Sequence, residues 1–150
     1  MKRLVGGAAL AAALATCGFG VAQAQTAERV YDNGPVWVIS YIETKPGMFD
    51  DYMAYLSTKW RSVNEADKRA GRLMDYKVLA VTNPRDHEPD VILMIEYPNM
   101  AAFDRPIAED EATMSKVFGS VVQSNQAFAS RDTIRTSRGE VLAREMKFIK

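Results

Sequence analysis

The chain has 150 residues, with 19 Lys plus Arg balancing 19 Asp plus Glu, and a single cysteine. That length supports one hydrophobic core and is marginal for two. The charge balance gives no general attraction to nucleic acid or to an anionic membrane, so neither partner is expected. One cysteine excludes a disulfide framework and any cysteine-cluster metal site.

Lys2 and Arg3 precede an uncharged run from Leu4 to Ala15, and Ala22-Gln23-Ala24 supplies a small-x-small pattern. These parts make residues 1–24 a cleavable signal peptide. The Ala- and Gly-rich run is too weakly apolar for a permanent membrane span. A periplasmic or secreted protein, free of the membrane after cleavage, is therefore expected. Leu14-Ala15-Thr16-Cys17 offers a competing lipoprotein reading, but Thr16 stands where Gly, Ala or Ser is usual. Cleavage after Ala24 removes Cys17, and with Lys2 and Arg3 gone the remaining chain is slightly acidic.

Residues 25–35 are polar, with Asp32-Asn33-Gly34-Pro35 as a turn signal, and read as a flexible leader. Residues 36–150 form the domain. Its first strand, Val36 to Glu43, is apolar on both faces, as a central strand is. After Lys45-Pro46-Gly47 a long helix follows, with Phe49, Tyr52, Met53, Leu56, Trp60, Val63, Ala66 and Ala70 as its stripe. Gly71 is placed to stop it in a left-handed turn. Leu73 to Val81 is a second strand carrying Asp75 and Lys77, and residues 83–90 are a polar hairpin loop. Val91 to Tyr97 is a third strand, apolar on both faces, and Asn99 can cap a short helix over Met100 to Asp104. A second long helix is expected over Ile107 to Ala129, then a polar connection over residues 130–139. Glu140 to Ile149 closes the chain as a strand.

Strand, helix, strand, strand, helix, strand is the α+β, ferredoxin-like βαββαβ plan: a four-stranded antiparallel sheet with helices on one face. Strands one and three, apolar on both sides, fit the inner positions, while charges in strands two and four suit edges. A sheet covered on one side and apolar on both calls for a second copy on the bare face, hence a homodimer.

The run Tyr41-Ile42-Glu43-Thr44-Lys45-Pro46-Gly47-Met48-Phe49-Asp50-Asp51-Tyr52 resembles the strand-to-helix junction of the dimeric α/β-barrel superfamily. Ala70-Gly71-Arg72-Leu73 and Asn99-Met100-Ala101-Ala102-Phe103-Asp104 add to the likeness, which is nearest the antibiotic-biosynthesis-monooxygenase-like, NIPSNAP-like and EthD-like branches. The resemblance spans about residues 36–149 and implies the fold. It implies no one function, because that superfamily holds monooxygenases, isomerases, haem-degrading enzymes, peroxidases and proteins of no known activity. No catalytic motif of those families matches residue by residue.

Five residues are candidates for a ligand pocket. Tyr41, Trp60 and Tyr76 can orient a flat ligand while burying most of it, or can simply be core. Asn125, on the apolar stripe of the second long helix, and Glu96, near the end of an inner strand, are polar intrusions that need partners. His87, the only histidine, lies in a charged loop between Asp86 and Glu88 and reads as solvated. No metal-ligating cluster and no cofactor motif is present by spacing, nor is any nucleophile–base or acid–base pair, so catalytic residues are unassigned. The leading reading is a small-molecule-binding dimer whose ligand is apolar or aromatic. A cofactor-independent oxygenase or isomerase acting on an aromatic or lipid-like compound, and a non-enzymatic stress-related dimer, are the alternatives.

Overall fold

A computed structural model describes residues 28–149, so the signal-peptide segment and Cys17 lie outside the described residues. Along the chain run β1 (Tyr31–Thr44), α1 (Phe49–Tyr55), a π-helical stretch (Leu56–Trp60), α2 (Arg61–Arg69), β2 (Asp75–Ala80) and β3 (Val91–Tyr97). A 3-10 turn (Met100–Phe103), α3 (Ile107–Phe118), α4 (Val121–Ser130), a second 3-10 turn (Arg131–Thr133) and β4 (Arg135–Phe148) complete it. The strands form one sheet in the order β2-β3-β1-β4, all antiparallel. With the helices on one side, this is the ferredoxin-like fold. The strands read as two-sided from their sequence are the inner ones.

Both long strands exceed their expected limits. β1 begins at Tyr31, so Asp32 to Pro35 is not a turn in a free leader. It is strand, with an irregularity between Asn33 and Val36 where β1 faces Met146 and Arg144 of β4. Gly34 is required there because a Cβ would meet the Glu145 carbonyl oxygen at 2.8 Å. β4 likewise starts at Arg135, inside the expected connection, and a bulge at Arg138 and Gly139 lets it keep pace with β1. Gly139, at φ 128°, supplies the backbone conformation that a side chain would resist.

The first helix is interrupted by one wide turn. After Tyr52 and Leu56, both buried, the stripe predicted through Val63, Ala66 and Ala70 advances by one residue. Asn64 and Asp67 are the fully buried residues of α2, while Ala70 is exposed. A π turn holds one residue more than an α turn, which rotates everything after it by about 100°. Asn64 Nδ2 donates to the Trp60 carbonyl at 2.9 Å, satisfying backbone at the end of the wide turn.

The second long helix is two helices. Gly119, at φ 94°, ends α3, and Ser120 caps α4 by accepting from the Gln123 amide at 3.1 Å. The core beneath these helices is built on Ile42, Tyr52, Leu56, Val91 and Leu93, with Met53, Trp60, Val78 and Ile134 packed around it.

Candidate functional site

Alternation along the strands sorts their side chains into two sets. Val38, Ser40 and Ile42 of β1, and Leu93, Ile95 and Tyr97 of β3, face the helices, where they floor a cavity of about 350 Å³. Tyr52, Tyr55, Trp60, Asn64 and Asp67 wall it from the first helix, and Met114, Phe118 and Phe128 from α3 and α4. Arg105, Arg131, Arg135, Ser137 and Glu140 complete the lining. Its volume lies within the range of about 300–1,000 Å³ typical of small-molecule sites.

The charged groups of this wall are unequally satisfied. Asp67 accepts from Arg72 Nε at 2.8 Å and lies 3.7 Å from Arg105, which also pairs with Asp110. Glu140 accepts from Ser40 Oγ at 2.7 Å. Both carboxylates of the wall are thus engaged. Arg131 and Arg135 have no carboxylate within ion-pair distance among the described residues, and the buried Nε of each has no hydrogen-bond partner. The guanidinium of Arg131 lies instead 4.4 Å from the Phe128 ring centre and 5.2 Å from that of Tyr55. Burial pushes it below its ordinary pKa, and the charge of Arg135 adds to this, against an opposing contribution from Tyr55. Tyr52, fully buried, has a hydroxyl with no hydrogen-bond partner among the described residues.

Burial raises the pKa of Tyr52, Tyr55 and Tyr97 above that of a free phenol, although the nearby arginines pull the other way. At neutral pH these tyrosines are therefore neutral donors. Their folded pKa values exceed the unfolded ones, so the associated stability is fully present below about pH 10 and falls as pH rises through the folded values. An alkaline titration followed by phenolate absorbance and by circular dichroism should show these tyrosines ionising late, together with unfolding. Ionisation of every tyrosine near pH 10 in a still-folded chain would contradict their burial.

The expected pocket residues divide. Trp60 lines the cavity, and its ring meets that of Tyr76 edge-on at 5.2 Å. Tyr76 sits in the adjoining groove of about 260 Å³ beside Met53 and Val78, where its hydroxyl donates to Glu65 at 2.6 Å. Tyr41 and Glu96 are on the opposite sheet face, since Tyr41 pairs with Ile92 and Glu96 with Trp37. Neither reaches the cavity. Asn125 is a correction: it is exposed, and the buried polar residue of α4 is Ser124, bonded to the Val121 carbonyl at 2.8 Å. The break at Gly119 resets the helical phase, so a stripe carried across it points the wrong way. His87 is exposed, with Arg138 at 3.3 Å and Glu43 at 3.7 Å. Among the described residues no three His, Cys, Asp or Glu side chains converge as a metal site.

Arg131, Arg135 and Asp67 were missed by sequence reasoning. The arginines lay in what read as a polar connection, and Asp67 faced outward on an uninterrupted helix.

No family's sequence profile matches the chain, and no curated protein is similar to it in sequence. Among solved structures, HapK from Hahella chejuensis is similar over 73% of this chain and 91% of its own, at 12% identity and a TM-score of 0.46. A dimeric ferredoxin-like protein from an uncultured marine organism is similar over 77% of this chain and 98% of its own, at 18% identity and a TM-score of 0.43. The fold assignment stands on the strand order and pairing themselves.

Proposed function

We propose that this chain is an exported homodimer that binds a small, largely apolar or aromatic molecule between its sheet and its helices. The observation that carries this reading is the cavity itself, where aromatic and aliphatic side chains surround buried donors that no group among the described residues satisfies. Such a combination is what a binding site for a flat organic molecule requires. Binding is favoured over catalysis because both carboxylates of the wall are already engaged and no imidazole lines it. Placement in the dimeric α/β-barrel superfamily, in its antibiotic-biosynthesis-monooxygenase-like or NIPSNAP-like branch, is proposed on the Lys45-Pro46-Gly47 junction and the one-sided helix layer.

Native mass spectrometry of protein purified from its source cells should show a dimer carrying a bound organic mass that is lost on denaturation. A ligand-free protein that binds no hydrophobic dye and whose Trp60 responds to no aromatic compound would refute the binding reading. Export is tested separately. The exported fraction should contain a species beginning at Gln25, and a chain retaining Met1, or a lipidated Cys17 in the membrane fraction, would overturn it.

A further inference from the structure

We infer that the cavity takes an organic monoanion, a carboxylate carried on an aromatic or apolar body, with the carboxylate set against Arg131 and Arg135. The inference rests on the cavity being the ligand site, and it adds the charge and chemical class of the ligand.

The first support is a contrast between arginines. Arg72, Arg85, Arg105 and Arg138 each have a carboxylate partner. Arg131 and Arg135, which line the cavity, have none among the described residues, and each has a buried Nε without an acceptor. A guanidinium does not escape this cost by losing its proton. An unpaired, partly buried cation is expensive, and two of them facing one cavity more so. An incoming anion relieves both.

The second support is orientation. The rings of Phe128 and Tyr55 take Arg131 through cation–π contact. Stacking occupies the face of the guanidinium plane and leaves its in-plane N–H groups available as donors. One side-chain hydrogen bond joins Arg131 to Tyr55, while its buried Nε has no acceptor among the described residues. Donors of this planar fork match the two oxygens of a carboxylate. Nearby, Arg135 lies 5.9 Å from the Tyr52 ring centre, and the Tyr52 hydroxyl is a further donor without a partner. Elsewhere Trp60, Leu93, Ile95, Met114 and Phe118 are placed to enclose a hydrocarbon body, while Asn64, Asp67, Arg105 and Glu140 keep part of the wall polar.

The test uses 2-naphthoate and its neutral isostere 2-naphthamide, titrated calorimetrically into the purified protein. Trp60 emission is followed in parallel in a Trp37→Phe background. Naphthoate should bind about tenfold or more tightly than the amide, the expected effect of a charge-assisted bidentate bond. Arg131→Met and Arg135→Met should each remove most of that preference, with naphthoate losing several-fold more affinity than the amide. Arg135→Lys, which keeps the charge but loses the fork, should fall between, and replaces Arg135→Met should that variant not melt cooperatively. Equal affinity for the two probes, with Trp60 responding to both, overturns the charge inference and leaves the binding site standing. A preference that survives both methionine variants places the carboxylate elsewhere and also overturns it. Failure of both probes to bind or to move Trp60 emission removes the site along with the inference.

Discussion

Tyr52→Ala is expected to cost about 3–5 kcal/mol of folding stability, the loss usual for a fully buried large aromatic. Tyr52 is central to the core, between Ile42, Leu56, Val91 and Leu93, and none of its surface is exposed. Truncation at Cβ would open a void that these neighbours, fixed by sheet and helix, could only partly fill. Tyr52→Phe is expected to behave oppositely. The hydroxyl is buried without a partner, so its removal relieves a desolvation penalty and should stabilise the chain by about 1 kcal/mol. Urea unfolding of the three proteins measures both effects. A loss of more than about 1 kcal/mol in Tyr52→Phe would mean that the hydroxyl is satisfied in the folded protein.

The second large effect concerns assembly. Ile39 sits opposite Met94 on β3 and Val141 on β4, with Trp37 and Tyr41 on either side along β1. These residues share the face away from the helices, where Leu79 and Val141 are 44% and 46% exposed. In the proposed dimer this face is covered, so Ile39→Asp would bury an unpaired carboxylate in the interface. That should weaken association by about 3 kcal/mol or more, a hundredfold or greater rise in Kd. The same substitution should leave the monomer folded, since in the monomer the face meets water. Sedimentation at micromolar concentration, with a thermal melt, separates the two. A dimer undisturbed by Ile39→Asp would place the interface elsewhere, and Asn125→Ala, on the exposed side of α4, serves as the neutral control.

The order of strands was legible because it depends on burial, and burial writes itself into composition. Val36 to Ile42 and Val91 to Tyr97 are apolar at successive positions, which only a strand with neighbours on both sides sustains. What was not legible depended on phase. One interruption did leave a trace: Gly119-Ser120-Val121-Val122-Gln123 combines a helix stop with the Ser-x-x-Gln pattern of a capping box. Read that way, it removes Asn125 from the buried face. The π turn at Leu56–Trp60 left none, since its residues are ordinary helix formers and the stripe on either side looks continuous. Arg131 and Arg135 carry no periodic signal at all. Arg135 meets Tyr52 because β4 starts beside Thr44 of β1, and Arg131 meets Tyr55 from the turn just before β4, long-range consequences that local pattern does not encode.

That wide turn bears on how relatives of this chain are to be recognised. A homologue one residue shorter in the first helix would close it as regular α-helix and still hold the counterparts of Asn64 and Asp67 toward the sheet, because the lost residue and the lost wide turn cancel. A homologue of equal length without the wide turn would instead rotate those two positions off the cavity and bring the counterpart of Ala66 inward, leaving its wall drier than this one. Aligned to the present sequence, the first would show a single-residue gap in mid-helix and the second none. Here the gapped relative would share the polar wall, and the ungapped one would have lost it.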